Sequence, residues 1–176
     1  MRSTIPGTNR KFTSENAFKD FKKMIELTSG ISLSQVSAIT GLDPTVIQNW
    51  VKRGYVSRPI KKKYYEKQLA RILMINSLKE AMKIEDIGKL MELINGDVED
   101  ESDDLISEEN LYSLFSKVIY NLKDINKVDD VIKKVMKDNK FSDTKLFIAL
   151  QTMIYAYIAS INKKIAKDYL KELQTK

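Results

Sequence analysis

Residues 32–65 read SLSQVSAITGLDPTVIQNWVKRGYVSRPIKKKYY, and the reading of this stretch decides the fold. Ser32 followed three residues later by Gln35 forms a capping box, in which each side chain satisfies the other residue's backbone N–H. The spacing predicts a helix over 33–40 with Leu33, Val36 and Ile39 turned inward. Gly41 supplies the turn that follows, because left-handed backbone costs glycine little. Asp43 caps a second helix and Pro44 takes its first position, where a missing N–H does no harm. That helix runs to Arg53, and Gly54 stops it. Helix, glycine turn and capped helix together are the sequence form of a helix-turn-helix.

Thr45, Gln48, Asn49 and Lys52 fall on one side of the second helix, while Val46, Ile47, Trp50 and Val51 are available to the core. Glutamine and asparagine match the donor–acceptor edge of adenine, and lysine or arginine matches guanine or phosphate. Beyond Gly54 the helix cannot continue through Arg58-Pro59, since the residue before proline is pushed to extended backbone. Val56, Ile60, Tyr64 and Tyr65 suit a short ribbon, so a small β-wing is expected to carry Arg58, Lys61, Lys62 and Lys63. The base-reading candidates are Thr45, Gln48, Asn49 and Lys52. The phosphate-binding candidates are Arg53, Arg58, Lys61, Lys62, Lys63, Tyr64 and Tyr65, with charge and aromatic contact side by side.

Working outward, residues 1–13 read as a loose arm containing Pro6, Gly7, Arg10 and Lys11. Ser14 is placed to cap a helix over 15–28, with Phe18, Phe21, Met24, Ile25 and Leu27 or Thr28 at helical spacing. Further helices are expected over 66–79 and 84–95, then over 107–123, 125–138 and 143–174. Between these two sets, residues 96–109 hold eight acids and no base. This divides the chain into an N-terminal unit over 1–95, an acidic linker over 96–106 and a helical dimerisation or effector domain over 107–176. The expected class is all-α, with the β-wing as its one extended feature.

The 176 residues contain no Cys and no His, which removes disulfides, thiol nucleophiles, Cys/His zinc sites and histidine acid–base catalysis. No enzyme activity and no cofactor is expected. Residues 1–95 hold 17 bases against 9 acids, and the whole chain carries +6. A basic first half suits a polyanion, because lysine and arginine release counterions from phosphates. In the acidic stretch Asp97, Glu99, Glu101, Asp103 and Glu108 have calcium-loop spacing, but Ser102 stands where the sharp turn requires glycine, so no metal is expected. The first residues are polar and basic, unlike a signal peptide. The apolar run 146–161 falls short of the ~20 residues a membrane span needs. A cytoplasmic protein off the membrane is therefore expected, with duplex DNA as its partner and a small-molecule effector open.

The order of parts over 32–94 resembles the DNA-binding domain of the MerR family. Asp43-Pro44 stands at that family's recognition-helix start, Trp50 at its usual tyrosine, and Lys52-Arg53-Gly54-Tyr55 at its helix end. Lys62-Lys63-Tyr64 resembles the close of the wing, and Lys83-Ile84-Glu85-Asp86-Ile87 the start of the following helix. Gln48 departs from the family's arginine at that position, and without cysteines thiolate metal sensing is impossible. The whole chain, including ITGLDPTVIQNWVKRGYVSRP and LINGDVEDESDD, resembles the YkrK-like family of uncharacterised Gram-positive bacterial proteins. These resemblances imply a winged DNA-binding domain, a following helical domain and a role in transcription regulation, while the departures from the MerR pattern point to simple operator occupancy. A homodimer through the C-terminal helices is expected, since one small winged domain contacts few bases and two would read half-sites ~34 Å apart. The alternative is a protein-interaction adaptor in which the helix-turn-helix is packing alone.

Overall fold

Residues 4–95 and 105–174 are described by the computed structural model of the protein. The chain runs through α1 (Ala17–Thr28), α2 (Leu33–Thr40), α3 (Pro44–Lys52), α4 (Glu66–Leu78) and α5 (Ile84–Asn95). It continues through α6 (Glu108–Asn121), a single 3-10 turn over Ile125–Lys127, α7 (Val128–Asp138) and α8 (Thr144–Gln174). The class is all-α, with helices making up 70% of the structure. Residues 96–104 of the acidic linker, with four of the five calcium-loop positions, lie outside the described residues.

α4 is the axis of the fold. Every residue from Gln68 to Ile75 is buried, because α1, α2, α5, α6 and α8 all pack around this helix. A helix enclosed on all sides needs apolar residues around its whole circumference, and Leu69, Ala70, Ile72, Leu73, Met74 and Ile75 supply them. Helices on both sides of the acidic stretch thus share one core, for α6 and α8 lie directly on α4. An aromatic chain stitches that core: Phe18 of α1 lies 5.1 Å from Tyr112 of α6, and Phe115 lies 5.7 Å from Tyr157 of α8.

Local signals in the sequence correspond to several element ends. Ser32 Oγ accepts from Gln35 N–H at 3.3 Å and Gln35 Oε1 accepts from Ser32 N–H at 2.8 Å, completing the capping box of α2. Gly41 ends that helix at φ 72°. α1 differs from expectation, since Asn16 rather than Ser14 occupies its N-cap, with no side-chain cap bond. Leu27 and Thr28, the alternatives for the last position of the apolar stripe, are both exposed, Leu27 because it lies off the Phe18–Phe21–Ile25 face.

The arm is not loose. Thr4 pairs with Lys11 in an antiparallel bridge, Ile5 is buried, and Tyr112 donates its hydroxyl to Pro6 O at 2.7 Å. Asn76 forks its amide to Gly7 O at 2.8 Å and to Thr40 O at 3.2 Å, tying the arm to the end of α2. Burial of these partners fixes a segment whose composition alone suggests freedom.

The expected β-wing also needs correction. Among the described residues there is no β-strand, only isolated bridges between Thr4 and Lys11, Ile31 and Tyr64, and Ile60 and Lys63. Ile60 and Lys63 exchange both backbone hydrogen bonds, at 2.9 and 2.8 Å, around a two-residue turn. With Arg58-Pro59 on one side and the start of α4 on the other, no room remains for longer ribbons.

α8 is one unbroken helix of 31 residues with two characters. Its first half, including Leu146, Leu150, Met153, Ile154 and Ile158, is buried, whereas residues 162–174 are exposed throughout. Length and composition alone would let this helix cross a bilayer, and the expectation from the shorter run 146–161 understated it. The apolar half is occupied in the core against α4, α6 and α7.

Candidate nucleic-acid interface

The site is built on α3. Asp43 Oδ1 accepts from Thr45 N–H at 2.8 Å and from the Thr45 hydroxyl at 2.6 Å, and these bonds lower the Asp43 carboxyl from its ordinary value. The cap fixes where the helix begins and so which side chains share a face. Ile47 and Trp50 are buried and hold α3 to the core, with Val46 and Val51 half-buried beside them. Thr45, Gln48, Asn49 and Lys52 are all exposed on the opposite stripe, at spacings of three, one and three residues. Thr45 differs from the other three. Its hydroxyl proton is given to Asp43, so it offers outward only an acceptor and a methyl group.

Arg53 closes the helix and is exposed, but it is engaged. Its guanidinium lies 4.9 Å from the centre of the Tyr55 ring and 2.9 Å from Glu85 Oε1. Glu85 belongs to the first turn of α5. Its carboxyl is held below the usual range first by its own backbone N–H and then by Arg53. Sequence reasoning missed Tyr55 and Glu85 as partners of this arginine, and the acids at the start of α5 were the available signal.

The turn after Pro59 has two consecutive non-glycine residues in left-handed backbone. Lys61 and Lys62 have φ of 48° and 65°, left-handed values normally supplied by Asn-Gly in a two-residue hairpin turn. Two consecutive lysines in this conformation each cost about 1–2 kcal/mol. Strain of this kind gathers at positions where the side chain serves a purpose. Both lysines are exposed, as are Lys52 and Arg58, and none of the four has an ion-pair partner among the described residues.

The other wing candidates are drawn inward. Lys63 is half-buried and donates to Gly30 O at 3.3 Å. Tyr64 is only 3% exposed, paired through its backbone with Ile31, and burial pushes its phenol up from the ordinary value. Tyr65 is half-buried and donates its hydroxyl to Ser29 O at 3.3 Å. These three residues anchor the turn to the end of α1. The reason is steric and chemical, because residues beside a tight turn lying against the core cannot also project from it. Gln68 completes the anchorage by accepting from Tyr65 N–H at 3.0 Å and donating to Arg58 O at 3.2 Å.

One buried ion pair supports the site from below. Arg71 of α4 donates Nε to Tyr55 O at 2.6 Å and Nη1 to Glu108 Oε1 at 2.7 Å, with both side chains almost wholly buried. The loop that carries Tyr55 under Arg53 is thereby held to α4 and α6 together.

A family model described as a domain of unknown function (DUF1836) matches residues 16–115, which contain α1–α5 and the first part of α6. The uncharacterized protein YkrK of Bacillus subtilis (strain 168) is 33% identical over 81 residues, covering 44% of this chain and 35% of that protein. The chain therefore spans about a third of that relative's length. No solved structure matches.

Proposed function

The chain belongs to the DUF1836 family, and from that premise we propose that it is a sequence-specific duplex-DNA-binding transcriptional regulator. One observation carries the reading: a capped helix, anchored by Ile47 and Trp50, presents Gln48, Asn49 and Lys52 to solvent in a single stripe. These side chains suit base edges, with Thr45 as acceptor, and the N-terminal turn of such a helix is the part that enters a major groove. Lys61, Lys62 and Arg58 are the phosphate-gripping cations of the turn that follows, with Arg53 available once a phosphate competes with Glu85. The MerR-like order of these parts supports the reading, the strained two-lysine turn standing in place of the longer wing. Tyr64 has no part in it.

A homodimer through α8 completes the proposal. Ile165, Tyr169, Leu170 and Leu173 are exposed on the half of α8 that leaves the core, with Leu173 at 75%. Two copies would place two recognition helices on half-sites about one helical turn apart.

The double variant K61N/K62G tests the turn. It removes two charges while installing the residues that such a turn prefers, so Tm rises as duplex affinity falls. Affinity falls about equally for every sequence, and the log–log salt dependence flattens by about 2, one unit per lost phosphate contact. An unchanged salt slope in filter-binding titrations removes the turn from the interface. Gln48→Ala instead costs about 1–3 kcal/mol at one base position, read by selection from random duplexes. Uniform loss over all sequences removes Gln48 from the readout. An adaptor that uses α3 only for packing shows no preference for duplex over other polyanions, which decides between the two readings.

A further inference from the structure

Where α8 leaves the core it passes beside the arm and the end of α4, and a cleft of about 400 Å³ opens between the three. A cleft of this size is in the range that holds metabolite-sized ligands. Its polar wall contains three lysines of α8, Lys163, Lys164 and Lys167, against a single acid, Glu80. Lys163 is committed to α4: its ammonium donates to Glu80 O at 2.9 Å and lies 3.5 Å from the Glu80 carboxylate. Lys167 stands 4.0 Å from the same carboxylate, and Lys164 has no ion pair among the described residues. One carboxylate cannot neutralise three ammonium groups, so the cleft keeps a positive excess. Ile5 of the arm and Ile161 of α8 supply its apolar wall.

We infer that this cleft is a binding site for a small organic anion, with Lys164 and Lys167 holding the charged end and Ile5 and Ile161 the apolar body. A phosphate ester and a carboxylate share the required chemistry. Ser160 and Tyr157 also line the cleft, but the Ser160 hydroxyl donates to Ala156 O at 3.0 Å and the Tyr157 hydroxyl is bonded to Thr4, so the lysines carry the anion recognition. The cleft also touches the turn before α3 through one side chain: Asn76 lines it and donates to Thr40 O, the last residue of α2. The inference stands apart from the reading of α3, since none of its residues belongs to that interface.

The test is a 1H–15N NMR titration of the full chain with phenyl phosphate, benzoate, inorganic phosphate and neutral benzyl alcohol. Saturable shifts over residues 4–8, 76–80 and 157–167 are expected with phenyl phosphate or benzoate, more weakly with inorganic phosphate and not with the alcohol. Whichever aromatic anion binds more tightly identifies the headgroup. The K164Q/K167Q variant is expected to bind that anion at least tenfold more weakly while keeping its Tm and its duplex affinity. Shifts confined to residues 58–63, equal binding of the neutral alcohol, no saturation at the cleft, or an unaffected double variant each overturn the proposal. Duplex affinity measured on the same samples separates the two ideas, because either can fail with the other intact.

Discussion

Replacing Gly7 with alanine is expected to destabilise the protein by roughly 2–5 kcal/mol, from backbone strain and overpacking together. Two constraints meet at this residue. Its φ is 74°, where an L side chain is strained, and a Cβ built there would stand 2.2 Å from the carbonyl oxygen of Leu73. The obstructing atoms are backbone of α4, the central helix, so no side-chain rotation relieves the contact. The arm must lift, and lifting it breaks the Asn76 bond to Gly7 O and the Tyr112 bond to Pro6 O, and brings Ile5 into solvent. A Tm drop on the order of 10 °C is expected for a chain of this size, together with earlier proteolysis within residues 4–13. Wild-type melting of the Gly7→Ala variant would show that the arm does not rest on α4. Tyr112→Phe provides the milder comparison, since it leaves one buried carbonyl without its donor, at about 1–3 kcal/mol.

Glu108→Ala is expected to cost about 3–5 kcal/mol, because it leaves the Arg71 guanidinium buried without its counter-charge. The pair joins a buried cation to a buried anion at 2.7 Å. Glu108 Oε2 has no hydrogen-bond partner there, so the pair already bears part of its desolvation cost. Removing both charges with R71L/E108L is expected to recover much of the loss, since two apolar groups leave neither charge stranded. Equal loss in the single and double variants in urea melts would assign the effect to packing alone. The Arg71 bond to Tyr55 O sets the position of the loop beneath Arg53, so the double variant should also weaken duplex binding.

Glu108 also predicts a pH dependence. Burial raises its carboxyl above the ordinary glutamate value, outweighing the lowering by Arg71. The folded chain therefore keeps a proton that the unfolded chain releases. This group's contribution to stability is fully present below the unfolded value, 4.5, and declines as pH rises through the folded one. In Glu108→Gln that decline is absent, which a comparison of urea midpoints from pH 4 upward would detect. Asp43 has the opposite sign. Its lowered carboxyl contributes above the unfolded value and loses that contribution as acid protonates the cap.

The legible parts of the fold were those written within a few residues of chain. The capping box at Ser32 and Gln35, the left-handed Gly41 and the Asp43-Pro44 start of α3 are each local hydrogen-bonding or backbone matters, and sequence spacing states them directly. The stripe of Thr45, Gln48, Asn49 and Lys52 followed from the same local rule, because a helix start sets which residues share a face. Tyr64 illustrates where that reasoning ends. Beside three lysines it reads as an outward aromatic, yet its backbone pairs with Ile31, 33 positions earlier, and its ring is buried.

Amino-acid order alone determined both ends of α2, the start of α3, the face of α3 that meets solvent and the basic character of the chain. Tertiary packing decided the rest. It seated the arm on α4, turned Lys63, Tyr64 and Tyr65 toward α1, set Glu85 against Arg53 and joined Arg71 to Glu108. The partners in these contacts lie far apart, 69 residues for Asn76 and Gly7 and 106 for Tyr112 and Pro6. No local pattern encodes such pairings, because what selects them is the burial of α4 by every helix around it.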